Sequence, residues 1–239
     1  MWFPVGIEDF AELRRNGYYF VDKTSFIQEF LDKRPKVLLM TRPRRFGKTL
    51  FMSMISYFFS QDDAKENRKL FRGLAIDRAG EKYMCEQGSR PVVFLTLKEW
   101  KADNWAGMQE VIRNALGNLF DQYHFLLDDS KLSQRDRRIL HLLIDGEADI
   151  TQEMNSLAFL VRILAQHYGK NPVLLLDEYD VPAQQDWEHD YYDKAIGFLR
   201  GFLAAALKTN PFLDFAIRIQ LSKDLIVVCS RYRNFRQYG

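Results

Sequence analysis

The sequence predicts an α/β fold, a mostly parallel sheet with helices on both faces in three layers. Short apolar runs, too brief for helices, recur along the chain, and stretches of helical periodicity separate them. Those intervening helices are long enough to serve as crossovers, which is what parallel neighbours require. Composition agrees. Of 239 residues, 47% are apolar and 28% charged, with 19 Phe available for a core. This usage excludes disordered, collagen-like and fibrous chains.

The elements follow in order. Residues 24–34 read as a helix with Phe26, Ile27, Phe30 and Leu31 on one stripe, and Thr24 is placed to cap it. Residues 36–41 form a short apolar run, hence a buried strand. Helical spacing returns over 48–59, where Leu50, Phe51, Met54, Ile55 and Phe58 share a face. The stretch 61–90 has mixed charge and no clean period, so it is expected as a surface excursion. A second strand is expected at 91–97. Long helices follow over 105–127, 133–144 and 151–168, the last with Thr151 as N-cap and Gly169 as its stop. Asn171-Pro172 opens a third strand at 173–177. A helix at 193–207, a fourth strand at 212–219 and a fifth at 225–229 complete the pattern. Nothing resembles an interdomain linker, so one domain is expected over 1–239, with a tail from about residue 218 that fits less well.

The charge balance, 34 Lys+Arg against 32 Asp+Glu, leaves a net +2. No global field would draw such a chain to nucleic acid or an anionic membrane, so any attraction must be local. Cys85 and Cys229 lie far apart and belong to no CxxC or Cys/His spacing, which disfavours a disulfide framework or a structural zinc site. The N-terminal residues lack a basic region followed by an apolar one, and no apolar run approaches the ~18 residues of a spanning helix. A soluble, cytoplasmic protein without membrane contact is expected.

The most informative stretch is Thr41-Arg42-Pro43-Arg44-Arg45-Phe46-Gly47-Lys48-Thr49-Leu50. A strand feeds a short loop that ends in Gly-Lys-Thr at the start of an apolar helix. That is the context of a phosphate-binding loop: backbone N–H groups and the helix N-terminus face phosphate oxygens, the Lys reaches the β/γ oxygens, and the Thr hydroxyl ligates Mg²⁺. The usual first glycine of the pattern is missing, because Arg42 stands in its place. A Gly-Lys-Thr tripeptide is weak by itself, and a basic helix N-terminus on the surface is the plain alternative. Two features weigh against that alternative. Seven cations (Lys33, Arg34, Lys36, Arg42, Arg44, Arg45, Lys48) fall in one segment with no acid, a local patch suited to a triphosphate or, alternatively, to nucleic-acid phosphates. Val173-Leu174-Leu175-Leu176 then runs into Asp177-Glu178, the form of a Walker B segment. There Asp177 would hold Mg²⁺ and Glu178 would activate the attacking water.

With Tyr19-Phe20-Val21-Asp22-Lys23-Thr24 upstream and Leu176-Asp177-Glu178-Tyr179-Asp180-Val181-Pro182 downstream, the chain resembles the bacterial predicted AAA-ATPase (AAA-ATPase-like) family from about Pro4 to about Phe215. That family's loop has the same Thr-Arg-Pro-Arg-Arg-Phe-Gly-Lys form, so the missing glycine is a family trait. The resemblance implies a P-loop NTPase of the additional-strand class, with ATP and Mg²⁺ as ligands and hydrolysis coupled to a conformational switch. By position it implies that Arg42, Arg44, Arg45, Phe46, Gly47, Lys48, Thr49 and Leu50 bind the nucleotide. Thr49 and Asp177 would hold the metal, and Glu178 and Lys48 would serve catalysis. Asp22, Lys23 and Thr24 fall where related ATPases place the adenine. Members often carry a fused nuclease-like domain, so a nucleic-acid partner through such a domain is a further implication. The chain departs from the family at its end: the fourth strand lacks a Thr-Gly, and the tail resembles a truncated member. A non-hydrolysing nucleotide-binding module, a P-loop kinase and a DNA-associated protein using the basic patch are therefore the rival readings.

Overall fold

The apolar runs expected at 36–41, 91–97, 173–177 and 212–219 each supply a strand. In the computed structural model, which describes residues 6–41, 47–179, 191–220 and 237–238, β1 (Val37–Thr41), β2 (Val92–Thr96), β3 (Val173–Asp177), β4 (Phe215–Gln220) and β5 (Gln237–Tyr238) form one sheet. Every neighbouring pair is parallel and the order is β2-β3-β4-β1-β5. β4 thus lies between the strand that feeds the Gly-Lys-Thr turn and the strand that ends in Asp177, as the additional-strand class requires. The fifth strand expected at 225–229 lies outside the described residues.

Side chains alternate across each strand, so the sheet serves two cores. Leu38, Met40, Val173, Leu175, Phe215, Ile217 and Ile219 face one layer, built from α1 (Phe10–Arg15), α2 (Ser25–Lys33), α3 (Lys48–Phe59), α4 (Ala64–Leu70), α5 (Ala75–Arg78) and α6 (Glu81–Met84). Val93, Leu95, Leu174, Leu176 and Ala216 face the other, built from α7 (Trp105–Asp121), α8 (Gln134–Ile144), α9 (Ile150–Tyr168) and α10 (Tyr192–Leu207). β3 is buried at all five positions, as an unbroken apolar run covered on both faces should be. The result is the expected three-layer α/β/α architecture.

Several expectations need correction. Residues 61–90 are no surface excursion: α4, α5 and α6 lie there, and Phe71 and Ile76 are fully buried in the first core. Gly73 and Gly80, with φ of 74° and 92°, break the chain into pieces too short to show a helical period. The helix expected over 105–127 stops at Asp121 and resumes as a 3-10 turn over His124–Asp128. α9 starts one residue before Thr151. Its cap is Asp149, which accepts from the Gln152 N–H while the Gln152 side chain accepts from the Asp149 N–H, a complete capping box. Gly169 does end that helix, with φ 64°. Among the described residues no helix is long and apolar enough to cross a membrane.

Candidate functional site

The site lies where the C-terminal ends of the central strands meet the start of α3, the position at which open α/β sheets present ligands. α3 opens at Gly47, whose φ of 66° is left-handed backbone that a side chain would strain. No side chain caps this helix, and no acid sits in its first turn. Among the described residues no side-chain cap meets its leading N–H groups, and these with the positive end of its dipole suit an anion.

Asp177 reaches the same place from the sheet. Alternation along β3 puts its side chain on the face of Val173 and Leu175, the face that α3 covers. The Thr49 hydroxyl donates to Asp177 Oδ2 at 3.1 Å. Asp177 is only 2% exposed, and its other carboxylate oxygen, Oδ1, is buried with no hydrogen-bond partner among the described residues. Burial pushes the Asp177 carboxyl above its ordinary range, and the neighbouring Glu178 charge adds to this. The Thr49 hydroxyl, the Lys48 ammonium and the Glu178 backbone N–H act in the opposite direction. A buried carboxylate oxygen without a partner is costly, and a hard cation beside it would remove the cost. A carboxylate and a hydroxyl are donors that Mg²⁺ accepts, so the residues present fit that ion.

Lys48 is itself buried, at 6% exposure. Glu178 is half-buried and adopts φ 51°, a left-handed conformation unusual for a non-glycine residue and of the kind that collects at functional sites. Gly47, Lys48, Thr49, Asp177 and Glu178 are therefore brought together as the sequence anticipated, and Leu50 lies half-buried against the α3 side of the sheet. Arg42, Arg44, Arg45 and Phe46 lie outside the described residues, as does Asp180.

The upstream motif has a different place. Asp22 accepts from the Thr24 N–H and hydroxyl at 2.9 and 2.6 Å and from the Ala75 N–H at 2.7 Å. Thr24 is fully buried and its hydroxyl accepts from the Ile76 N–H. These two side chains are engaged in fastening α5 to the start of α2, and Thr24 makes no side-chain cap. Sequence reasoning also left Arg218 unassigned. It sits on β4 opposite Leu39 and Leu176, 3% exposed, with its guanidinium 4.9 Å from the Tyr179 ring centre. A charged residue inside an apolar strand run was the available signal. A second group not anticipated is Asp9, which caps α1 and accepts from Tyr57 at 2.9 Å, tying α1 to the flank of α3. Nothing in residue spacing pairs positions so distant in the chain.

The family described as Predicted AAA-ATPase matches residues 4–224. A protein of Azotobacter chroococcum mcd 1, described as "Uncharacterized protein in vnfD 5'region", is 30% identical over 229 residues, which cover 92% of this chain and 37% of that protein. The chain thus spans little more than a third of the curated relative it matches. No solved structure matches it. The family match extends over nearly all of the sheet and both halves of the site, and the chain belongs to the Predicted AAA-ATPase family.

Proposed function

We propose that the chain binds ATP together with Mg²⁺ and hydrolyses the nucleotide, with turnover coupled to a conformational switch. Family membership implies nucleotide binding; the choice of ATP, the metal and the reaction are our reading. The observation that carries it is the pairing of Thr49 with Asp177 at 3.1 Å across the start of α3, which leaves one buried Asp177 oxygen without a partner among the described residues. Thr49 and Asp177 hold Mg²⁺, whose charge offsets that developing on the phosphate oxygens. The N–H groups at the start of α3 and Lys48 bind the β- and γ-phosphates. Arg42, Arg44, Arg45, Phe46 and Leu50 complete the nucleotide contact. Glu178 accepts a proton from the attacking water as that water's oxygen bonds to the γ-phosphorus. The bond from γ-phosphorus to the β–γ bridging oxygen breaks, and ADP and phosphate result.

Two variants separate binding from chemistry. Lys48→Ala should weaken ATP binding, measured by equilibrium titration with a fluorescent ATP analogue in the presence of Mg²⁺. Glu178→Gln should bind with unchanged affinity while steady-state phosphate release falls about 100-fold or more. Undiminished turnover in Glu178→Gln would remove the hydrolytic reading and leave a nucleotide-binding module. Undiminished affinity in Lys48→Ala would displace the site itself.

A further inference from the structure

A cavity of about 520 Å³ opens beside the edge strand β2, at the end of α3 remote from Lys48. α3 has 12 residues, so the two ends are about 18 Å apart. Ser56 in the last turn of α3 and Ser60 at its C-cap form one wall. The sheet forms another. The Val173 N–H donates to Pro91 O and the Leu97 N–H to Asp177 O. Alternate residues of β2 therefore bond to β3, and the backbone groups of Val92 and Phe94 point to the free edge. The Tyr123 hydroxyl reaches Val92 O from that side at 3.5 Å.

Aromatic residues and Gln122 complete the lining. Phe94, Tyr123, Phe125 and Tyr168 all line the cavity, with the Tyr123 and Phe125 rings 6.5 Å apart. Phe125 is 45% exposed, a large apolar ring left facing outward. Asp62 is the single charged residue of the lining. Its nearest side-chain partner is the Ser60 hydroxyl at 3.5 Å, and among the described residues no cation is paired with it. Burial raises the Tyr123 and Tyr168 phenols above their ordinary range, and the Asp62 charge adds to both shifts, so each stays neutral. Aromatic rings, one carboxylate and hydroxyl oxygens can all attract positive charge, and no Lys or Arg lines the cavity to repel it.

We propose that this cavity binds an organic cation, an ammonium or guanidinium group held against the aromatic wall and neutralised by Asp62. The volume is in the range of small-ligand sites. The group belongs either to a free amine or to a Lys or Arg side chain of another protein. The site is separate from the phosphate end of α3 and does not depend on the nucleotide reading.

Titration calorimetry on the 239-residue chain tests it, with choline, its neutral isostere 3,3-dimethylbutan-1-ol and arginine methyl ester as probes. A cationic probe should bind, and the neutral isostere at least about tenfold more weakly than choline. Asp62→Asn and Phe125→Leu, both at exposed positions, should each weaken cation binding about fivefold or more while leaving the thermal midpoint in place. Equal binding of the isostere, undiminished binding in both variants, or no heat from either cationic probe would overturn the proposal. A capped pentapeptide with one central Lys, compared with its norleucine counterpart, distinguishes the sources. Binding at least about tenfold tighter than choline and lost with norleucine assigns the site to a protein side chain; binding no tighter than choline assigns it to a free cation.

Discussion

Asp177 ends a strand covered on both faces, and one of its oxygens is buried with no hydrogen-bond donor among the described residues. A group chosen for stability would be placed otherwise, because neutral packing costs less there. Asp177→Asn should therefore leave the thermal midpoint of the ligand-free chain unchanged or higher, while the Mg²⁺-dependent stabilisation by ATP disappears. A loss of more than about 1 kcal/mol in the ligand-free variant would mark the carboxylate as structural. Differential scanning fluorimetry with and without Mg²⁺ and ATP reads both. The meeting of Gly47-Lys48-Thr49 with Asp177-Glu178 was legible in advance, because each segment is marked by residue type and spacing. Thr24 was not. Its hydroxyl is bonded to Asp22 and to the Ile76 N–H, and a capping residue in sequence becomes a clasp only when a remote segment arrives.

Between helices, polar ties do what apolar stripes cannot, which is to set register. Asp136 in the first turn of α8 accepts from Arg162 of α9 at 2.6 Å and from the Ser133 hydroxyl at 2.9 Å. The Arg162 hydrogen bond leads in holding its carboxyl below the ordinary range, against a smaller contrary effect of burial. A carboxyl with a lowered folded-state pKa contributes stability that is present above its unfolded value and lost as pH falls through the folded one. Asp136→Asn should thus cost about 1–2 kcal/mol at pH 7 and a progressively smaller amount as pH drops below about 4. Urea titrations of both proteins at the two pH values supply the comparison, and a cost that stays constant would refute the ion-pair account. Helices with strong stripes, such as α2 and α8, could be read from spacing alone. The segment 61–90 could not, since helices as short as α5 and α6 complete barely one turn and owe their existence to burial of Ile76, Tyr83 and Met84 in a core made by other elements.

Across the whole molecule, the decisive feature is the insertion of β4 between β1 and β3. The phosphate-loop strand and the acid-bearing strand never touch, and their spacing across the site is about two strand widths, near 9.6 Å. Order along the sheet follows from long-range pairing, which periodicity does not encode; the family resemblance suggested the inserted strand where composition and spacing were silent. Ile217 stands at the middle of β4, fully buried on the α3 face. Ile217→Ala should cost about 2–5 kcal/mol in chemical denaturation, and a cost below about 1 kcal/mol would show that β4 does not carry the sheet's centre. The same insertion has a consequence in time. β1 is flanked by β4 and β5, from residues 215–220 and 237–238, so a chain emerging from the ribosome leaves its phosphate-loop strand unpaired until residues 215–220 have been made. The nucleotide end of the molecule is completed late, after the helices that cover it have had the opportunity to form.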